Sequence, residues 1–205
     1  MFLSHSNTLS YNEYRDKVLQ LAAQGQTSGE QTQEHIQATL INAQRMKRID
    51  HQCELKPQLA EMASLVSEKH TWYVITEAWC GDSAQNTPVL AKIANASPNL
   101  EMRLLFRDEN PEIMNQYLSN GKRAIPKLIC VNDASKKVIG TWAPRPALIQ
   151  DRVTEYKLLH PTGSKDEFNQ NLHLWYARDK TQSLQEEFLS LFSDWGLIKQ
   201  TKVSN

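Results

Sequence analysis

The run Thr76-Glu77-Ala78-Trp79-Cys80-Gly81-Asp82-Ser83-Ala84-Gln85 places a thiol between two different periodicities. Before it, Thr71 to Thr76 is aromatic and β-branched, which predicts a buried strand. After it, Val89, Leu90, Ile93 and Ala94 recur at helical spacing between Ala84 and Ala96, which predicts a helix. Cys80 therefore stands where a strand hands over to a helix. The first N–H groups of a helix lack partners within it and, with the macrodipole, favour negative charge, so a thiolate there gains about 0.3 to 2 kcal/mol. Asp82 opposes that gain as a neighbouring anion, while an acidic residue in a first turn favours the helix itself. Ser83 has a hydroxyl able to donate to the sulfur from one turn along, and is equally suited to bonding the backbone at a helix start. The chemistry of this set is nucleophilic attack by sulfur. A lone cysteine cannot resolve what it attacks, so a captured disulfide would stay on Cys80 until a second thiol arrived. The plainer reading makes Cys80 a small buried residue without reactivity.

The other candidates are weaker. Three cysteines, Cys53, Cys80 and Cys130, are too few and too scattered for a disulfide scaffold, which fits a reducing compartment. Cys130 is expected in the core. Nothing in the sequence brings Cys53 within disulfide reach of Cys80. His51 and Cys53 are two ligands short of a zinc set. Trp175, Trp195 and the Phe168 to Phe192 stripe read as core packing. Arg123 has the charge to attract a carboxylate, or is a solvated loop residue.

A strand, then Trp79-Cys80-Gly81, then a helix with Pro88 in its first turns, resembles the active-site corner of thioredoxins. Asp108-Glu109-Asn110-Pro111 is similar to the turn after the central strand of that family. Gly121-Lys122-Arg123-Ala124-Ile125-Pro126-Lys127-Leu128-Ile129 is similar to the segment around its cis-proline. The likeness covers residues 71–141, and on it the chain is identified as a member of the thioredoxin-like superfamily, of bacterial type. The resemblance implies a three-layer α/β fold, a central mixed sheet flanked by helices, with N-terminal and C-terminal helical extensions. It implies Cys80 and Ser83 as catalytic residues and Trp79, Gly81, Asp82, Ile125 and Pro126 as substrate-binding residues. The Ile125–Pro126 peptide would be cis and face the cysteine, and the Ile125 backbone would pair with an extended substrate. No metal or cofactor is implied.

Three places depart from the family pattern. Ser83 stands where thioredoxins carry their second cysteine. The buried carboxylate six residues before the first cysteine falls on Val74, and the lysine of the neighbouring strand on Leu104. With no second thiol to serve, a buried carboxylate would only cost on the order of several kcal/mol. The resemblance then implies a monothiol thiol–disulfide oxidoreductase. Its partners would be protein or low-molecular-weight disulfides, with glutathione-type thiols resolving the mixed disulfide. One alternative keeps the fold as a non-catalytic protein- or peptide-binding module. Another is iron–sulfur handling, since Cys80-Gly81-Asp82-Ser83 is similar to the Cys-Gly-x-Ser signature of monothiol glutaredoxins. Against it stand Trp79 and the lack of a Gly-Gly pair after Pro126.

The 205 residues suit one full domain with additions, divided as an N-terminal helical extension (1–52), a thioredoxin-like domain (53–158) and a C-terminal helical extension (159–205). A 40% hydrophobic content is globular, while a mean hydropathy of -0.56 points to long solvated helices. Twenty-three basic residues against 23 acidic ones favour neither nucleic acid nor an anionic membrane as partner. Met1 to Tyr14 holds no signal-like apolar run, and no stretch of about 18 apolar residues occurs, so the expected compartment is the cytoplasm.

The remaining elements must carry this corner. Ser10 and Glu13 form a capping box for a helix to Gln24, with Tyr14, Val18, Leu21 and Ala22 on one face. Ser28 with Gln31 is expected to cap a second helix, through Ile36, Leu40 and Ala43 toward Ile49. Pro57 opens a third, before the strand at Thr71. Leu100 to Phe106 reads as a parallel strand, Pro111 starts a short helix, and Lys127 to Asn132 with Lys137 to Trp142 read as an antiparallel pair. Ala143-Pro144-Arg145-Pro146 is a stiff connection to a helix over Ala147 to Leu158. A Ser164/Glu167 capping box begins a long helix interrupted between Asp179 and Ser183, and Gly196 to Asn205 reads as a frayed tail.

Overall fold

Strand β1 (His70–Thr76) is apolar on both faces, Trp72 and Val74 on one and Tyr73 and Ile75 on the other. A strand of that kind has to be central. In the computed structural model, which describes residues 7–198, β1 pairs in parallel with β2 (Leu100–Phe106) and antiparallel with β3 (Lys127–Asn132), and β4 (Val138–Trp142) adds antiparallel outside β3. The order is β2-β1-β3-β4. Eight helices are described: α1 (Tyr11–Ala23), α2 (Gln33–Gln52), α3 (Pro57–Ser64), α4 (Gly81–Asn95), α5 (Pro111–Gln116), α6 (Ala147–Leu159), α7 (Lys165–Asp179) and α8 (Gln182–Asp194). Helix α4 is the crossover that the parallel pair β1 and β2 requires.

The two faces of β1 divide the core. Trp72, Val74, Leu104, Leu128 and Cys130 pack against Tyr14 and Val18 of α1, Met46 of α2, Leu59 of α3, Leu90 and Ile93 of α4, and Phe188 and Phe192 of α8. The opposite face, Ile75, Leu105, Ile129 and Val131, meets Ile113 and Met114 of α5 together with Ile125 and Cys80. A third, smaller cluster joins Ile149 and Val153 of α6 to Leu172 and Tyr176 of α7. Helices on both faces of a mixed sheet give the expected three-layer α/β arrangement. Phe188 binds the C-terminal helices to it, with its ring centroid 5.4 Å from Trp72 and 5.8 Å from Trp142. Gly140 is needed where Trp195 lies on β4, since a methyl group there would sit 2.2 Å from the indole. Leu9 forms an antiparallel bridge to Leu104 and covers the outer edge of β2.

Several local expectations need correction. Helix α2 is capped by Thr32, whose hydroxyl accepts from the His35 N–H, and not by Ser28, which is engaged with Glu77 and Ala78. The buried Glu77 carboxylate needs a donor more than an exposed helix start does. Helix α4 begins at Gly81, three residues before the apolar pattern announces it. Ser164 caps Glu167 N–H without the reciprocal bond of a capping box. The break in the long C-terminal helix does fall where expected, at Lys180 and Thr181, both in left-handed backbone conformation. The frayed tail does not begin at Gly196: Leu197 is fully buried, its carbonyl accepts from Ser67 N–H, and Ile198 bridges Val66. The rest of that tail, 199–205, and the first six residues searched for a leader lie outside the described residues. Among the described residues no helix is long and apolar enough to cross a membrane.

Candidate active site at the Cys80 corner

Cys80 is the N-cap residue of α4, and its sulfur takes the place of a capping oxygen by accepting from the Ser83 N–H at 3.4 Å. On its other side the thiol donates to the Ile125 carbonyl at 3.3 Å. The Ile125–Pro126 peptide is cis, and both residues are buried. Val74 and Leu104, the places on which the resemblance puts the family's carboxylate and lysine, face each other across β1 and β2, and neither is exposed.

The expected acidification of Cys80 is reversed. The residue is only 8% exposed, and burial, reinforced by Asp82, pushes its thiol up to about 11. Ser83 and Arg145 act in the opposite direction without prevailing. Withdrawing a thiolate from water costs more here than one helix terminus returns. The Ser83 hydroxyl is itself enclosed and has no hydrogen-bond partner among the described residues.

The Asp82 carboxylate is held by its own partners. Arg145 holds its carboxylate as a fork, Nε to Oδ1 at 2.9 Å and Nη2 to Oδ2 at 2.6 Å, and the Tyr176 hydroxyl donates to Oδ1 at 2.8 Å. Burial raises the Asp82 carboxyl against the pull of Arg145, and Asp82 in turn keeps the Arg145 guanidinium firmly charged. Asn86 donates to the Tyr176 oxygen at 3.1 Å. These bonds fasten the proline-rich connection before α6, and α7 itself, onto the first turns of α4. Gly81 meets the His173 ring so closely that a methyl group there would lie 2.7 Å from Cε1.

The N-terminal helices grip the same loop from the other side. The Glu77 side chain is fully buried, accepting from the Ser28 hydroxyl and, at 2.9 Å, from Asp108 N–H, and burial raises its carboxyl. Asn42 donates to the Ala78 carbonyl at 2.9 Å, and the Tyr14 hydroxyl reaches Thr76 Oγ1 at 3.1 Å. Trp79 is half-buried, with His35 stacked on it at 4.4 Å and the Arg107 guanidinium 4.8 Å from its ring centre.

Trp79, Cys80, Gly81, Asp82, Ser83, Ile125 and Pro126 therefore gather at one corner, with Asp82 committed to an internal ion pair. The other candidates lie elsewhere. Arg123 is exposed and donates to Asn115. Cys130 is buried in the core beside Trp72. Cys53 packs at the end of α2, 3.4 Å from Thr181 Oγ1, and all three cysteines are free. Sequence reasoning missed Glu77, Arg145, His173 and Tyr176. Two had a signal: Glu77 is an acid inside a run that is otherwise buried, and Arg145 sits between two prolines that fix its backbone. Tyr176 and His173 had none, since one lay in a stripe read as core and the other was a lone histidine on a helix.

A family model described as thioredoxin matches residues 11–157, from α1 into α6. None of the curated proteins compared with the chain matches it. Among solved structures, an HIV epitope scaffold superposes on 90% of this chain and 98% of its own, with a TM-score of 0.54 and 17% identity. A protein of unknown function from Pseudomonas aeruginosa superposes on 82% of this chain and 96% of its own, with a TM-score of 0.50 and 18% identity. At such identities these likenesses speak for the fold alone.

Proposed function

This chain belongs to the thioredoxin family, and on that premise we propose that it is a monothiol thiol–disulfide oxidoreductase with Cys80 as its only exchanging sulfur. The observation that carries the reading is the position of that sulfur, at the start of α4 and against the Ile125 carbonyl, with Ser83 and not a cysteine one turn along. Cys80 first loses its proton to solvent. The thiolate then attacks one sulfur of a disulfide, a bond to Cys80 forms, the original S–S bond breaks, and the departing thiolate takes up a proton. An external thiolate, of glutathione type, attacks the mixed disulfide at the outer sulfur. It leaves as a new disulfide and returns Cys80 to the thiol, so the net change is exchange between one disulfide and one thiol. The thiol–carbonyl contact must break before attack, which keeps the resting protein slow. Mass spectrometry of the protein isolated from cells without reductant is expected to find an adduct on Cys80 that reductant removes. A bare thiol at Cys80 under oxidative challenge, with Cys80→Ala cells unaffected, would count against exchange.

A second reading keeps the fold and drops the chemistry, making the Cys80–Pro126 corner a binding module for a protein or peptide strand. The observation favouring it is the burial that pushes the Cys80 thiol up to about 11. Pull-downs separate the two: partners retained by Cys80→Ala under reducing conditions favour binding, and partners released by reductant from the wild type favour exchange.

A further inference from the structure

Two covers lie over the residues flanking Cys80, and they are anchored differently. Residues 77–79 are held by Ser28, Asn42 and His35. The helices on that side, α1 and α2, sink Tyr14, Val18 and Met46 into the main apolar cluster. Residues 81 and 82 are held by α7: the His173 ring lies against Gly81, and the Tyr176 hydroxyl donates to Asp82. Helix α7 packs chiefly on α6, and Ile149, Val153, Leu172 and Tyr176 form a cluster of their own. Among the described residues, neither of these helices places a side chain in the main cluster.

What fastens α7 to the first turns of α4 is a few polar bonds. The Tyr176 hydroxyl donates to Asp82 Oδ1 at 2.8 Å and accepts from Asn86 at 3.1 Å, and the Gln85 amide lies 3.2 Å from His173 Nδ1. Along the same seam run clefts of about 30 and 170 Å³, one lined by Asn86, Pro146 and Tyr176, the other by Ile49, Cys53, Ala177 and Thr181. An open seam forfeits the dispersion contacts that would otherwise hold the helix down. Both ends of the α6–α7 unit are jointed. At the far end Lys180 and Thr181 stand in the left-handed region, with φ of 50° and 67°, a costly backbone for residues that carry a side chain. At the near end Glu187 of α8 accepts from the Ala147 N–H at 2.9 Å and from the Trp142 indole at 3.1 Å, which pins the start of α6. Arg145 precedes that pin, so it keeps its fork on Asp82 when α7 moves, and no buried charge is stranded.

We propose that α6 and α7 form a hinged cover on the Cys80 corner, latched by Tyr176 and His173, and that Cys80 reacts only while the latch is open. The proposal rests on the exchange reading for its use and adds the gate through which a disulfide enters. Cys80 is 8% exposed, too little for a disulfide to reach its sulfur. Its other neighbours are tied into the two clusters on either face of the sheet. Lifting α7 is the opening that leaves both of those clusters whole.

The test reads access by alkylation of Cys80 with iodoacetamide, followed by mass spectrometry of its peptide, and reads the latch by hydrogen exchange. In the wild type at low urea, Cys80 alkylation and exchange in residues 165–179 should share one shallow dependence on urea, while exchange in β1 rises steeply with global unfolding. Tyr176→Phe deletes a hydrogen bond to a carboxylate, worth roughly tenfold to a hundredfold in the opening equilibrium. Alkylation and α7 exchange should therefore both rise by at least about tenfold. Val18→Ala, a loss inside the main cluster, weakens the open and closed states alike and should leave both rates unchanged at low urea. Wild-type alkylation that climbs with urea as steeply as β1 exchange overturns the cover. So does a rate within about twofold of wild type in a Tyr176→Phe protein that is folded by circular dichroism, or an equal rise in Val18→Ala. Should Tyr176→Phe not fold, the wild-type urea dependences decide alone. Alkylation through the shared opening, with no disulfide adduct ever forming on Cys80, supports the cover and removes the exchange reading instead.

Discussion

Burial governs the reactivity of Cys80, and its consequence can be worked through. With the thiol near 11, roughly 3 in 10,000 molecules carry the thiolate at pH 7.5, against roughly one in ten for a free cysteine near 8.5. That deficit is about 300-fold. A more basic thiolate is also a better nucleophile, with a Brønsted slope of about 0.4 to 0.5, which returns about 10- to 20-fold over the same difference. Reaction of folded Cys80 with dithiodipyridine at pH 7.5 should then be on the order of 20-fold slower than reaction of the chain unfolded in urea. The rate is followed by acid quench and mass spectrometry of the Cys80 peptide between about pH 6.5 and 10. It should climb about tenfold per pH unit across that range without levelling. Steric cover slows the reaction equally at every pH, so the position of a plateau is the decisive reading. A plateau with its midpoint at or below about 8.5 would refute the argument, because the helix terminus would then outweigh desolvation.

Asp82→Asn leaves the Arg145 guanidinium without its counter-ion and should cost about 3 to 5 kcal/mol in urea unfolding. By removing the anion that raises the Cys80 thiol it should also move the pH–rate profile to lower pH. His173 is held down to about 3 by burial, so below its unfolded value of about 6.5 the unfolded chain takes up a proton that the folded chain refuses. Stability attributable to it should fall as pH drops from about 6.5 toward 3, by up to about 1.4 kcal/mol per pH unit. The raised carboxyls Asp82, Glu77 and Glu187 contribute with the opposite sign, and the difference between wild type and His173→Asn in unfolding experiments isolates the histidine. Phe188→Ala empties a fully buried site against Trp72 and Trp142, and should lower stability by about 3 to 5 kcal/mol. A loss under about 1 kcal/mol would mean that α8 is peripheral to the core.

What the chain determined by itself is what short-range physics can write. The unbroken aromatic and β-branched run of residues 71–76 and helical spacing after Ala84 place Cys80 at a strand-to-helix junction, and the Ser10/Glu13 capping box places the start of α1, because each depends on neighbours a few residues apart. What only the tertiary structure decided is the company that junction keeps. Asp82 meets Arg145 and Tyr176 across 63 and 94 residues, Glu77 meets Ser28 across 49, and no periodicity encodes such pairings. The protonation of Cys80 belongs to the same class. A helix terminus is visible in the sequence, but the desolvation that overrides it comes from Ile125 and from whatever else the folded chain lays around the sulfur. A pKa answers to the sum of those contacts and not to the local motif alone.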